Sequence, residues 1–505
     1  MIAVLALSAT LASSPASCAA LKSISLPNAT IVAAEMVPAG PFVQPGRGGA
    51  PAAAPEGRGR GRGGPAPAPQ IAPAHCRVNA ILRPSSDSEI EMEAWLPDNW
   101  NGKFQFVGGG GWAGVISFPA MVNALDEGYA TASTDTGHKG GNALFAINHP
   151  EKVVDFAYRA VHDSTVTTKA LIAKYYERPA RLSYWNGCST GGRQGLMEAQ
   201  KFPDDFDAII AGAPANYQTH LHTWDLSVAV PVLNNPAAAL TQTKLDALRD
   251  AALNACDAQD GVKDGLINDP RKCRFDPSVL LCKDGDGPSC LTPPQLDAVR
   301  RAYSDTKTKS GEVVFPGKQP GSEYQWMAFL GGRQAPGVSV GSFQVAYNDA
   351  NWDAKTFDVD KDLKIVDEKV GTIVNAVNPD LSAFKAHGGK LLLYHGWNDT
   401  AISPGNTINY YESVLRKMGG KQEDFVRLYM APGMQHCGGG PGPNQINYMA
   451  IMERWREGNQ TPASIEAIHV TNNRVDMTRP LCPYPQVATY KGTGTPNDAT
   501  NWVCK

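Results

Sequence analysis

The chain is 505 residues long, with 42% apolar residues, 19% charged residues and a formal net charge of -3. That length exceeds the roughly 100–200 residues of one ordinary domain, and the composition is that of a globular protein with a sizeable core. A charge balance so near neutral excludes a global electrostatic case for nucleic acid or an acidic membrane surface as partner.

Residues 1–17, MIAVLALSATLASSPAS, hold an apolar run from Ile2 to Leu11 followed by small residues, the pattern of a secretory signal without its basic start. The run is shorter than the roughly 20 apolar residues that span a bilayer, and no later segment supplies a span. Pro15-Ala16-Ser17 lacks the aliphatic residue that a lipid-anchored Cys18 would want. A secreted or periplasmic protein is expected. Within an N-terminal segment, 18–76, the stretch Pro38 to Ala74 is low in complexity and rich in Pro, Gly and Arg. It reads as a disordered loop or linker, and without interleaved aromatics in its centre it is not read as an RNA-binding arm.

Regular structure is expected from Glu89 onward. EIEMEAWLP alternates polar and apolar residues, and KFQFVGG and YATASTD follow as β runs bounded by glycine or aspartate. Lys152 to Arg178 reads as a long helix with Val154, Ala157, Tyr158 and Val161 on one face. RLSYWNG is a short strand, followed by a helix to Lys201 that Pro203 stops, and DAIIAGAPA is another buried strand. After Ala215 the pattern dissolves into turns and acidic loops. It resumes with the strand KLLLYHGWND, a helix opened by Ser403-Pro404 and closed at Gly419-Gly420, and a last strand in FVRLYMAPGMQHC. The expected architecture is an α/β sheet formed by 77–215 and 386–505, with a lid inserted at about 216–385.

Gly187-Cys188-Ser189-Thr190-Gly191 is a G-x-S-x-G pentapeptide between a strand and a helix. This is where α/β-hydrolases hold a nucleophilic serine on a tight turn, its small neighbours letting backbones approach. A hydroxyl becomes a useful nucleophile when an imidazole takes its proton and a buried carboxylate holds that imidazole in the right tautomer. In the order Ser, acid, His, the candidates are Ser189, Asp399 and His436, the last two just past successive core strands. His395 precedes Asp399 and is read as structural. Gly337-Val338-Ser339-Val340-Gly341 matches the same pentapeptide, but follows a loop inside the irregular insertion, so Ser339 is read as a chance match. The run Gly108 to Gly111 after KFQFV lets a backbone N–H approach a developing oxyanion, with the Thr190 N–H as second donor. No Lys-Ser/Thr follows the run and no G-x-G-x-x-G spacing opens a helix, so a nucleotide site is not expected.

Ten cysteines and no CxxC or Cys/His zinc spacing favour five disulfides in an oxidising compartment. If Ser189 and His436 hydrogen-bond, the adjacent Cys188 and Cys437 come within reach of a disulfide that ties the two loops across the insertion. Between Cys256 and Cys273, DAQDGVKDG packs three carboxylates and two turn glycines, a hard-oxygen set suited to Ca²⁺, against the plainer reading of a solvated acidic turn. The insertion also carries Trp224, Tyr324, Trp326, Phe329, Phe343, Tyr347 and Trp352, on a few of which an aromatic acyl group could stack, most being expected in the insertion's own core. Nothing in the spacing of Arg333 assigns it to a substrate carboxylate.

From Cys18 to Cys504 the chain resembles the tannase and feruloyl esterase family, which includes the bacterial esterases that cleave the monoester released from polyethylene terephthalate. The resemblance rests on NGKFQFVGGGGWAG, TDTGH, NGCSTGGRQG, AGAPA, CDAQDGVKDG, YHGWND, PGMQHCGGGPG and RPLCPYPQVATYKG. It implies an α/β-hydrolase fold with a lid, a triad of Ser189, Asp399 and His436, and an oxyanion hole from the N–H groups of Gly111 and Thr190. It implies the pairs Cys18–Cys76, Cys188–Cys437, Cys256–Cys273, Cys282–Cys290 and Cys482–Cys504. It also implies a structural Ca²⁺ in the lid, held by Asp257, Asp260 and Asp264 with the carbonyls of Val262 and Leu266, and no organic cofactor. The expected activity is hydrolysis of small aromatic esters, of gallic or hydroxycinnamic type, with plant esters as one source. The rival readings are a lidded esterase or acyltransferase for other esters and a non-catalytic extracellular binding protein on the same fold.

Overall fold

A computed structural model describes residues 17–44, 70–112 and 114–505. The signal-like residues 1–16 and the centre of the Arg/Gly/Pro stretch, 45–69, lie outside the described residues. A nine-stranded sheet organises the chain: β1 (Ala29–Val37), β2 (His75–Leu82), β3 (Ile90–Pro97), β4 (Lys103–Val107), β5 (Ala130–Thr134), β6 (Leu182–Cys188), β7 (Ala208–Gly212), β8 (Lys390–Gly396) and β9 (Val426–Ala431). Their spatial order is β1-β2-β3-β5-β4-β6-β7-β8-β9. The first three strands and β5 pair antiparallel, and from β5 through β9 every pairing is parallel. Helices α1 (Ala160–Tyr175), α2 (Thr190–Lys201), α3 (Gln218–Asn234), α4 (Gly337–Tyr347) and α5 (Pro404–Met418) are the ones that bear on the site.

The parallel strands are buried on both faces, which is why they read as continuous apolar runs rather than alternating ones: all five residues of β7 and six of seven in β8 are buried. Every strand expected from Glu89 onward is present. The long helix expected over 152–178 is helical from Pro150 to Tyr175, broken by one π-type turn at Asp155–Arg159. That turn leaves the Phe156 and Ala157 carbonyls to be taken by the guanidinium of Arg193 on α2, at 3.2 and 3.0 Å.

Strand structure begins sixty residues before the expected point, at Ala29. β1 pairs with β2 from Ala29 opposite Leu82 to Val37 opposite His75, and Gly40–Pro41 continues the pairing with Ile71–Ala72. The described residues on either side of the low-complexity stretch therefore belong to one hairpin, and Cys18 is bonded to Cys76 in β2. The region after Ala215 also differs from expectation, being largely helical. α3 is 17 residues long with 13 of them buried, so it lacks the apolar-polar contrast that marks a surface helix. Between β7 and β8 no residue joins the main sheet, and the short strands Thr306–Lys307 and Val313–Phe315 pair only with each other. Trp224, Leu245, Val299, Phe315 and Trp326 form a separate core there.

Candidate active site

The parallel strands deliver their C-terminal ends to one edge of the sheet, the edge at which open α/β sheets bind ligands. Ser189 follows β6, the glycine run follows β4, Asp399 follows β8 and His436 follows β9. Ser189 sits at φ 64°, ψ -123°, a strained conformation between strand and helix. It is held there by its N–H donating to the Gly212 carbonyl at 2.9 Å and its own carbonyl accepting from Arg193 and Ala215 N–H at 3.0 and 3.1 Å. The flanking glycines are required by close approach: a Cβ on Gly187 would stand 2.6 Å from the Gly191 carbonyl carbon, and one on Gly108 2.7 Å from the Gly191 Cα.

Asp399 is fully buried and each carboxylate oxygen accepts two hydrogen bonds. Oδ1 takes the N–H groups of Ala401 and Ile402 at 2.8 and 3.0 Å. Oδ2 takes Nδ1 of His436 at 2.7 Å and Nε2 of His395 at 3.0 Å. Burial opposes the charge on Asp399, but the His436 charge and the hydrogen bonds from both imidazoles outweigh it and hold the carboxyl well below its ordinary range. His395 is thus a partner of the acid, its Nδ1 meeting the Thr407 hydroxyl at 2.7 Å. The sequence reads it as structural, and the bond to Asp399 is what the spacing did not show.

Gly111, at φ 55°, and Thr190 bound the same cavity as Ser189 and His436, and the Thr190 hydroxyl donates to the Gly111 carbonyl at 2.9 Å. The Gln194 side chain accepts from Gly109 N–H at 3.0 Å, so α2 fixes the glycine run at two points. His138 of TDTGH bonds the Trp112 carbonyl at 2.6 Å, and the Trp112 indole donates to Val338 of α4 at 2.7 Å, linking the run to the insertion. Cys188 and Cys437 are bonded, with Cα atoms 5.9 Å apart, and the other four pairs are those that the resemblance implies.

The cavity over Ser189 measures about 730 Å³. Its far wall comes from the insertion: Leu221, Phe329 and Val338 with the polar Gln218, His222, Asp225 and Ser339. Of the seven insertion aromatics, Phe329 alone lines it. Trp224, Trp326 and Phe343 are core residues, and the Tyr324 hydroxyl bonds Gln435 beside the base. Arg333 is exposed and stands outside the cavity lining. Ser339 is no second nucleophile elbow, since it lies inside α4, but it is a buried wall residue whose hydroxyl donates to Asp225 Oδ2 at 2.6 Å. Neither it nor Asp225 was legible as a site residue. A roomier cavity of about 840 Å³, among Gln105, Asn186 and Glu466, contains neither Ser189 nor His436.

In the 257–266 loop the carboxylates engage their own backbone: Asp257 accepts from Asp264 and Gly265 N–H, Asp260 from Val262 and Asp264 from Leu266. Asp264 also pairs with Arg479 at 2.6 Å, while the buried Oδ2 of Asp260 has no hydrogen-bond partner. Burial, with the nearby charges of Asp264 and Asp257, raises the Asp260 carboxyl. Among the described residues, the one set of three ligand-type side chains with atoms within 4.8 Å of one another lies elsewhere, at His162, Glu198 and Asp205. There His162 bonds Asp205 at 2.6 Å, and burial, followed by the charge of Asp205, raises the carboxyl of Glu198.

The model of the family described as tannase and feruloyl esterase matches residues 76–505. An uncharacterized esterase of Xanthomonas campestris pv. campestris is 36% identical over 98% of this chain and 92% of that protein. A probable feruloyl esterase B-1 of Aspergillus oryzae is 34% identical over 85% of this chain and 84% of that protein. The crystal structure of feruloyl esterase B from Aspergillus oryzae superposes with a TM-score of 0.89 at 32% identity, covering 97% of this chain and 99% of that one. A tannin acyl hydrolase from Aspergillus niger shares the fold at a TM-score of 0.74 and 22% identity, over 95% of this chain and 92% of that one. The chain belongs to the tannase and feruloyl esterase family, a carboxylic ester hydrolase on an α/β-hydrolase fold.

Proposed function

We propose that the protein is an exported serine esterase for esters of aromatic acids of the gallic or hydroxycinnamic type. Ser189 attacks the ester carbonyl as His436 takes its proton, and Asp399 holds the imidazole with its proton on Nδ1. The N–H groups of Gly111 and Thr190 receive the oxyanion, and water then releases the acyl group from Ser189. The observation that carries this reading is the bond from Asp399 to His436 Nδ1 beside a strained serine in one cavity. The insertion, 216–385, acts as a lid that supplies the acyl-binding wall. Five disulfides support export to an oxidising compartment.

A structural Ca²⁺ belongs to the same reading, held by Asp257, Asp260 and Asp264 with the carbonyls of Val262 and Leu266. The hard-oxygen donors and the orphaned buried oxygen of Asp260 support it. The ion would neutralise the crowded carboxylates and take no part in the ester chemistry.

The test is hydrolysis of methyl esters of gallic, ferulic, benzoic and a short aliphatic acid by the oxidised protein, beside folded Ser189→Ala. Aromatic ester turnover that vanishes in the variant supports the reading. Turnover that survives Ser189→Ala ends it, and an aliphatic preference replaces the substrate class.

A further inference from the structure

Beyond its own core, the insertion reaches the loop that carries Asp399. The Ser403 hydroxyl donates to the Gly317 carbonyl at 2.7 Å, and the Asn398 amide donates to the Gly321 carbonyl at 2.7 Å. The Thr400 hydroxyl meets Gln325 Oε1 at 3.5 Å, and Lys318 Nζ donates to the Thr400 carbonyl at 2.9 Å. That last carbonyl belongs to the same peptide group as the Ala401 N–H, which donates to Asp399 Oδ1 at 2.8 Å. The ammonium and the acid are therefore bonded to the two ends of one peptide group. An N–H whose own carbonyl accepts from a cation is polarised into a better donor.

Neutral donors are enough to hold such a loop, as Ser403 and Asn398 do on either side, so the choice of a cation between them calls for a partner in charge. Lys318 is 1% exposed, with its ammonium 3.8 and 3.5 Å from the ring centroids of Trp224 and Phe329. A buried ammonium is costly unless hydrogen bonds and opposite charge meet it. Burial pushes it toward its neutral form, and the charges of Asp225, on α3, and of Asp399 oppose that push. Burial also raises the Asp225 carboxyl, against the charge of Lys318 and the bond from Ser339. Glu323, another carboxylate of this segment, is taken up by the Tyr303 hydroxyl and the Gly321 N–H. On its other side Asp399 meets His436 and His395.

Resting on the triad proposed above, we infer that Lys318 is a positioning residue for its acid. The ammonium holds the Thr400–Ala401 peptide with its N–H on Asp399 Oδ1, and it faces the carboxylate with a buried positive charge. Lys318 stands outside the cavity lining, so it acts through Asp399 and not on the substrate. The insertion thereby takes part in setting the base, besides walling the cavity. A cation here favours the ionised acid and opposes the imidazolium of His436, which keeps the base free to take a proton at lower pH.

The experiment compares wild type, Lys318→Met, Asp399→Asn and the double variant on one aromatic methyl ester, across about pH 5–9, with circular dichroism for the fold. Lys318→Met keeps an unbranched stem between the two rings and removes the donor and the charge. Its kcat should fall about tenfold or more, with KM within about twofold of wild type. The acid limb of kcat/KM, which reports the base, should move up by about 0.5 pH unit or more, since the lost cation no longer opposes the imidazolium. In the Asp399→Asn background the same change should cost less than about threefold, because the group through which Lys318 acts is gone. A kcat near wild type, an unmoved acid limb, or the full cost in both backgrounds overturns the inference. If Lys318→Met does not fold, Lys318→Gln decides on the same terms. Turnover that survives Ser189→Ala or Asp399→Asn ends the triad reading itself, whereas a normal Lys318→Met beside an inactive Asp399→Asn ends only this inference.

Discussion

Replacing Asp399 by asparagine keeps the shape of the side chain and changes which end can donate. In the native site Oδ1 faces two backbone N–H groups and Oδ2 faces two imidazoles. An asparagine satisfies the backbone pair only with its oxygen, so its NH₂ turns toward His436 Nδ1 and His395 Nε2. His436 must then accept at Nδ1 and carry its proton on Nε2, the nitrogen that should take the proton of Ser189. The wrong tautomer costs about 10⁴ in kcat in enzymes of this type, or about 5.4 kcal/mol of barrier. Misplaced donors at a buried site cost a further ~1–3 kcal/mol of stability. The assay is kcat/KM on an aromatic methyl ester across pH 6–9, with circular dichroism to establish the fold. A folded Asp399→Asn variant within tenfold of wild type would refute the assignment of Asp399 as the orienting acid.

Three further outcomes are expected. The double variant Cys188→Ser, Cys437→Ser opens a bridge of sequence separation 249 and should lose up to about 5 kcal/mol in urea unfolding, by loop-closure entropy, together with kcat as base and nucleophile lose register. Glu198 is raised well above 4.5, first by burial and then by Asp205. The folded state therefore holds a proton that the unfolded chain releases, so stability falls as pH rises above the unfolded value. Glu198→Gln, which has no proton to release, should flatten that slope above the unfolded value and be the more stable protein on the alkaline side. Calcium chelation should lower Tm and leave kcat of the surviving folded protein unchanged; a loss of kcat at constant Tm would place the ion in the chemistry instead.

The candidate site at the sheet edge was legible because each part is announced locally. A buried parallel strand reads as an apolar run, and the residues just past its C-terminal end gather at one edge of the sheet, so Ser189, Asp399 and His436 stand out by position. Gly187 and Gly191 carry a steric signature that a short window contains. The opposite wall was not legible. α3 is buried on nearly every side, which removes the periodicity that reveals a helix. The character of Asp225 is set by Ser339, 114 residues later, and by Lys318, neither of which a local pattern connects to it. β1 was missed for another reason: as an edge strand it alternates weakly, with Val32 and Met36 half exposed, and its partner lies beyond the low-complexity stretch.

The bridge from Cys188 to Cys437 has a meaning for how such an enzyme can diversify. It fastens the neighbour of the proposed nucleophile to the neighbour of the proposed base, closing a loop that holds β7, β8 and β9 of the sheet as well as the insertion. Gln218, Asp225, Lys318, Phe329 and Ser339 all belong to the insertion between β7 and β8, whereas Ser189 and His436 stand next to the two bridged cysteines. Residues of the insertion can thus be exchanged, lengthened or repacked while the bridge keeps the loops of Ser189 and His436 together. The covalent tie separates the inheritance of a reaction from the choice of what it is performed on.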